Sequence, residues 1–94
     1  MKITYQNLIE TINIVSKYNG GLDAKCTDVY ASDNELAFEF KEEPSAEDLR
    51  KLSKMGWKNC YSKKEEKRWE NCDQLTDEEL LDLFSFTNMI FVKT

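Results

Sequence analysis

The hydrophobic period of this chain changes along its length, and the change restricts the class of fold open to it. Tyr5, Leu8, Ile9, Ile12 and Val15 recur at helical spacing, whereas Leu36, Phe38 and Phe40 alternate with Ala37 and Glu39 at a period of two. The first pattern predicts an amphipathic helix from Tyr5 to Lys17, with Thr4 as its N-cap and Gly20-Gly21 as its stop. Its opposite face carries Gln6, Asn7, Glu10 and Asn13 and suits water or a polar contact. The second pattern predicts a strand whose Leu36, Phe38 and Phe40 face is core. Residues 24–30 mix Cys26, Val29 and Tyr30 with polar positions, and Ser32-Asp33-Asn34 supplies turn chemistry between them and that strand, which makes a hairpin.

The alternation of helix and hairpin then repeats. Pro44-Ser45 followed by Glu47-Asp48 starts a helix from about Ala46 to Met55, with Leu49, Leu52 and Met55 as its buried stripe and Gly56 as a left-handed stop. Trp57, Asn59 and Tyr61 alternate with Lys58 and Cys60, and after Lys63-Lys64-Glu65-Glu66 a short run carries Trp69 and Cys72, which predicts a second hairpin with a long loop. Thr76 and Glu79 form a capping box at the start of a third helix, flanked by Leu75 and Leu80 at the positions of a hydrophobic staple. Phe86 and the run Met89 to Val92 suit a closing strand or a buried tail. The expectation is an α+β two-layer sandwich in the order α-β-β-α-β-β-α with a terminal strand. Its sheet is mainly antiparallel, of four or five strands, with helices on one face. At 94 residues the chain supports one core, hence a single domain over residues 1–94.

Several chemistries are disfavoured by what the chain lacks. There is no histidine, the usual general base and activator of serine and cysteine nucleophiles near neutral pH, so a non-enzymatic role is expected. Cys26, Cys60 and Cys72 are odd in number and widely spaced, a poor disulfide framework, and without a C-x-x-C pair or histidine they do not suit structural zinc. Asp77, Glu78, Glu79 and Asp82 lack the alternating ligands and central glycine of a calcium loop. No metal, cofactor or small-molecule substrate is expected. The apolar runs fall far below the roughly 20 residues that cross a bilayer, and the start lacks a signal-peptide layout. A cytoplasmic protein is the expectation.

Charge is laid out in blocks. Residues 22–48 hold nine acids against two bases, residues 49–68 eight bases against two acids, and residues 69–94 six acids against one base. Such blocks steer partners by their field and are also the ordinary means by which a small protein stays soluble. Asp33, Glu35, Glu39, Glu42, Glu43, Glu47 and Asp48, with Asp77, Glu78, Glu79 and Asp82, are the candidate contacts of an acidic surface in two bands, which can imitate two phosphate strands. A symmetric homodimer would carry the imitation further. The basic segment 49–68, interleaved with Trp57, Tyr61 and Trp69, has instead the ingredients of a single-strand nucleic-acid platform, although tryptophans in so small a domain also serve as core.

In size, acidity, absence of histidine and alternation of short helices with hairpins, the chain resembles the small host-takeover proteins of tailed phages, and among them the Arn type of anti-restriction protein, acidic DNA mimics that block a modification-dependent restriction nuclease. The resemblance implies an inhibitor whose acidic surface occupies the nucleic-acid site of a host defence nuclease or related enzyme. Another class, an antitoxin or immunity protein covering a basic toxin, would use Trp57, Tyr61 and Trp69 as aromatic anchors.

Overall fold

A computed structural model describes residues 3–93 of the chain. It shows an α+β fold with the elements α1 (Tyr5–Tyr18), β1 (Val29–Ala31), β2 (Glu35–Glu39), α2 (Ala46–Lys54), α3 (Lys63–Glu70), a short 3-10 turn at Cys72–Gln74, α4 (Asp77–Phe84) and β3 (Met89–Lys93). The strands form one antiparallel sheet in the order β1-β2-β3, with Tyr30 opposite Ala37 and Ala37 opposite Phe91.

The helix starts follow their caps. Thr4 and Ser45 accept backbone N–H groups from Asn7 and Asp48, and Thr76 and Glu79 close the expected capping box, satisfying donors that the first turn leaves unpaired. Gly56 takes φ 104°, a left-handed conformation in which a Cβ is strained, and turns the chain out of α2 into Trp57.

The second hairpin does not form. Residues 63–70 are the helix α3, because Ser62 caps it, Glu65 and Glu66 stand against the positive end of its dipole, and Arg68 reaches back to Glu65 at 3.3 Å. Of the expected strand at Trp57–Tyr61 there remains a single bridge, in which Lys58 and Phe91 exchange backbone hydrogen bonds of 2.8 Å each. The sheet therefore has three strands among the described residues, not four or five, and the Lys58 bridge covers part of the outer edge of β3. The first hairpin is also shorter than its pattern suggested: β1 begins only at Val29. The run Met89 to Val92 is a strand paired within the protomer, so its apolar side chains are used internally.

The inner face of the sheet carries Phe38, Phe40, Ile90 and Val92 against the helices. Phe38 meets the edge of Trp57 at 5.5 Å between ring centroids, and Phe40 meets Phe84 of α4 at 5.3 Å. Leu49 and Leu52 of α2, Trp69 of α3 and Leu80 of α4 complete this core, each large side chain contributing about 1.5–3 kcal/mol against the entropy lost on folding. Asn59, although polar, is buried: its amide donates to Thr87 Oγ1 at 2.8 Å and to the Met89 carbonyl at 2.9 Å, pinning the α4–β3 turn.

In α1 the buried residues are Thr11, Ile14 and Val15. Three members of the stripe assigned to the core, Tyr5, Ile9 and Ile12, lie on the exposed side instead. The helix is turned so that Thr11 receives the Trp57 indole N–H at 2.8 Å, and its second apolar stripe is left toward solvent.

Candidate functional site

Strand alternation sends Glu35, Ala37 and Glu39 to the outer face of the sheet, and the register places Lys93, Phe91 and Met89 opposite them with Tyr30 beside Ala37. Beyond the Lys58 bridge, the chain lays the Tyr61 ring on Phe91, with centroids 4.3 Å apart and planes 9° from parallel. Ala37 and Phe91 are buried, while Tyr61 stays 66% exposed and Tyr30 50% exposed. The face is an aromatic platform floored by Ala37, with a shallow depression of about 60 Å³ beside Tyr61.

Both tyrosines are tied to carboxylates. The Tyr61 hydroxyl donates to Glu35, 2.9 and 3.1 Å from its two oxygens, and the Tyr30 hydroxyl donates to Glu39 at 3.2 Å. Partial burial and the Glu35 carboxylate push the Tyr61 phenol above its ordinary value, and the hydrogen bond to Glu39 does the same for Tyr30, so both remain neutral donors. Lys93 stands 3.3 Å from Glu35 and 5.5 Å from the centre of the Tyr61 ring. Fixed rings beside oriented carboxylates can take a cationic side chain, as Lys93 already demonstrates.

Of the candidate contacts, Glu35, Glu39 and Tyr61 are brought together here. Asp48 is a correction: it is 5% exposed, with Lys17 Nζ at 2.8 Å and the Tyr18 hydroxyl at 2.5 Å on its Oδ2. It ties α1 to the start of α2, and its burial leaves little of it for a surface contact. Asp77 binds Arg50 at 2.7 Å, Glu47 stands 3.7 Å from Lys51, and Glu79 is engaged in its capping box. Asp33 lies in the exposed β1–β2 turn. Glu42, Glu43, Glu78 and Asp82 are exposed and have no ion pair among the described residues.

The basic segment is largely neutralised from within. Arg50 and Lys51 are paired as above, Lys54 stands 3.5 Å from Asp73, Lys58 reaches Glu66 and Glu70, and Arg68 reaches Glu65. Lys63, Lys64 and Lys67 keep unpaired ammonium groups among the described residues. Trp57 and Trp69 are 1% and 0% exposed, so neither offers a ring to a base or to a partner, and of the three aromatic anchors only Tyr61 reaches the surface.

Two features escaped the sequence reading. Tyr30 and Lys93 join the platform through strand register, which no local pattern reports. A groove of about 340 Å³ opens between α1, the chain from Gly21 to Val29 and the inner side of β2, because the α1 stripe is not fully covered. Among the described residues no three acidic or cysteine side chains converge as a metal cluster, and no helix is long and apolar enough to cross a membrane. Compared with known proteins, the chain matches no family model, no curated protein and no solved structure.

Proposed function

We propose that this is a non-enzymatic protein-binding protein that captures a cationic site on another protein, in the manner of an antitoxin or immunity protein neutralising a basic partner. The observation that carries this reading is the outer sheet face, where two exposed tyrosines are each locked to a glutamate, Tyr61 to Glu35 and Tyr30 to Glu39. Rings held by hydrogen bonds, and in Tyr61 also by its stack on Phe91, lose little entropy on binding; Glu39 has no ion pair among the described residues and is aimed before a lysine or arginine arrives, while at Glu35 the incoming group would displace Lys93. With a net charge of −5 the whole chain favours approach of a basic surface.

A second reading keeps the partner's chemistry and moves the contact. Glu42 and Glu43, on the β2–α2 connection, with Glu78 and Asp82 of α4, are the candidate acids that are exposed and have no ion pair among the described residues, and are the ones fit to stand for phosphates in the site of a nucleic-acid enzyme such as a host defence nuclease. The ion pairs of Glu47 and Asp77 with the basic segment weigh against a continuous anionic band.

The test is affinity capture from a bacterial lysate at low salt and at about 0.5 M salt, where surface charge is strongly screened. The same bait is compared with a Tyr30→Ala/Tyr61→Ala variant and a Glu42→Lys/Glu43→Lys variant. A basic protein retained at high salt and lost only with the tyrosine pair supports the first reading. A nucleic-acid enzyme lost at high salt and with the charge reversals supports the second. A partner indifferent to both variants overturns both.

A further inference from the structure

We propose that the groove between α1 and the 20–28 loop is a binding site for an unbranched aliphatic carboxylate, whose chain lies on α1 and β2 and whose headgroup meets Lys25. At about 340 Å³ the groove falls in the range of small-ligand sites, and its walls have their usual make-up, apolar with few polar groups. Leu8, Ile12 and Val15 of α1 form one wall, and Leu36 and Phe38 of β2 form the floor. No charged side chain enters from either element, so only an apolar body can occupy this part without leaving polar groups unpaired.

The third wall is the loop from Gly20 to Asp28. Its own backbone bonds are local, Ala24 N–H to Gly21 carbonyl at 3.1 Å and Thr27 N–H to Lys25 carbonyl at 3.0 Å. It is tied to the rest at its two ends, where Gly21 N–H donates to the Ser16 carbonyl and Glu39 N–H donates to the Asp28 carbonyl at 2.9 Å. Between these ties Leu22 lines the groove yet is 70% exposed, an apolar side chain whose burial against an apolar ligand would be favourable.

Charge selects the headgroup. Asp28, the acid that lines the groove, is engaged by Lys41 at 3.2 Å and by the Thr27 hydroxyl at 3.2 Å. Lys25, the wall's base, has no ion pair among the described residues. Among the lining side chains the charge left without an ion pair is thus positive, Asp23 of the same loop standing outside the lining, and a positive lining charge suits a carboxylate and repels an amine.

Cys26 lines the groove and is the exposed cysteine, whereas Cys60 and Cys72 are buried, so its alkylation reports occupancy on the intact protein. Iodoacetamide modification followed by mass spectrometry is run against sodium decanoate and against decanol. Decanoate is expected to slow the reaction saturably, by about tenfold at a concentration ten times its Kd. Decanol should bind about three- to fivefold more weakly. Lys25→Gln should abolish that preference while both ligands still protect. Ile12→Trp should fill the groove and remove protection; Leu22→Glu, at an exposed position, is the second variant should the first not fold, and should weaken both ligands. The proposal is overturned if decanoate gives no saturable protection, if protection survives the groove variants, or if acid and alcohol bind equally. Protection that rises with protein concentration alone would assign the groove to a second copy of the chain and overturn it too.

Discussion

The indole N–H of Trp69 donates to the backbone carbonyl of Trp57 at 2.7 Å, and the indole N–H of Trp57 in turn donates to Thr11 Oγ1 at 2.8 Å. The Thr11 hydroxyl donates to the Asn7 carbonyl at 2.7 Å. A chain of hydrogen bonds through buried Trp69, Trp57 and Thr11 therefore ties α3 to the segment after α2 and that segment to α1. Such a chain specifies the packing of three elements because each link removed leaves a buried partner unpaired.

Trp69→Phe keeps an aromatic ring near Phe84 but leaves the Trp57 carbonyl without this donor, and Thr11→Val leaves the Trp57 N–H without its acceptor. Each is expected to cost about 1–3 kcal/mol, read as a lower urea midpoint at unchanged slope. Fully additive losses in the double variant would show that the two links act independently and not as one chain.

Asp48 and Lys17 make stability fall at both ends of the pH scale. Burial alone would raise the Asp48 carboxyl, but the hydrogen bonds from Lys17 and Tyr18 outweigh it and hold it below its ordinary 3.8. A depressed acid stabilises above its unfolded value, so this contribution is lost as pH falls from about 3.8 through the lower folded value. Lys17, held above its ordinary 10.5 by the bond to Asp48, stabilises below that value and loses its contribution as pH rises through the higher folded one. Asp48→Asn should cost about 1–3 kcal/mol at neutral pH and flatten the acid limb of thermal melts taken across pH.

Where a segment's structure depends on its own residues, the sequence was legible: the caps at Thr4, Ser45 and Thr76, the turn at Gly56, and the alternation of Leu36, Phe38 and Phe40. It misled where two patterns overlapped. Trp57, Asn59 and Tyr61 alternate as a strand would, yet Trp57 and Asn59 are buried by contacts to Thr11 and Met89, distant in sequence, and a helix cap at Ser62 captures the charged run beyond. Trp69 then reads as a strand residue only if that helix is overlooked. Of the candidate site, Glu35, Glu39 and Tyr61 were visible as residue types, but their convergence was not, because it follows from register between β2 and β3 and from the Lys58 bridge. Asp48 looked like surface acid for the same reason: its partners Lys17 and Tyr18 come from a helix about 30 residues earlier.

The three thiols should separate cleanly by reactivity. Burial pushes the Cys60 thiol up to about 11, with Glu65 and Glu66 adding to the effect, and Cys72 is buried in the core, while Cys26 is exposed. Titration with a chromogenic disulfide at neutral pH is expected to give one fast equivalent in the native protein and all three in urea. A second fast equivalent without denaturant would mean that the core opens at Cys60 or Cys72 well below the global unfolding free energy.

Tyr61 discriminates the proposed binding face from a merely structural contact. Its stack on Phe91 and bond to Glu35 lie at the surface, so Tyr61→Ala should cost only about 0.5–1.5 kcal/mol of stability, the order of one aromatic pair. If the ring is an anchor for a cationic side chain, the same change should weaken partner binding by at least about thirtyfold, the order of a 2 kcal/mol hot spot. Tyr61→Phe separates ring from hydroxyl: it keeps the stack, frees Glu35 from its donor, and should weaken binding by about three- to tenfold through loss of the carboxylate's aim. Calorimetric titration of both variants against the captured partner, with urea melts of the free proteins, gives the two quantities side by side. Binding that falls only in proportion to stability would reduce Tyr61 to a cover for Phe91 and return the acids Glu42, Glu43, Glu78 and Asp82 to first place as the contact surface.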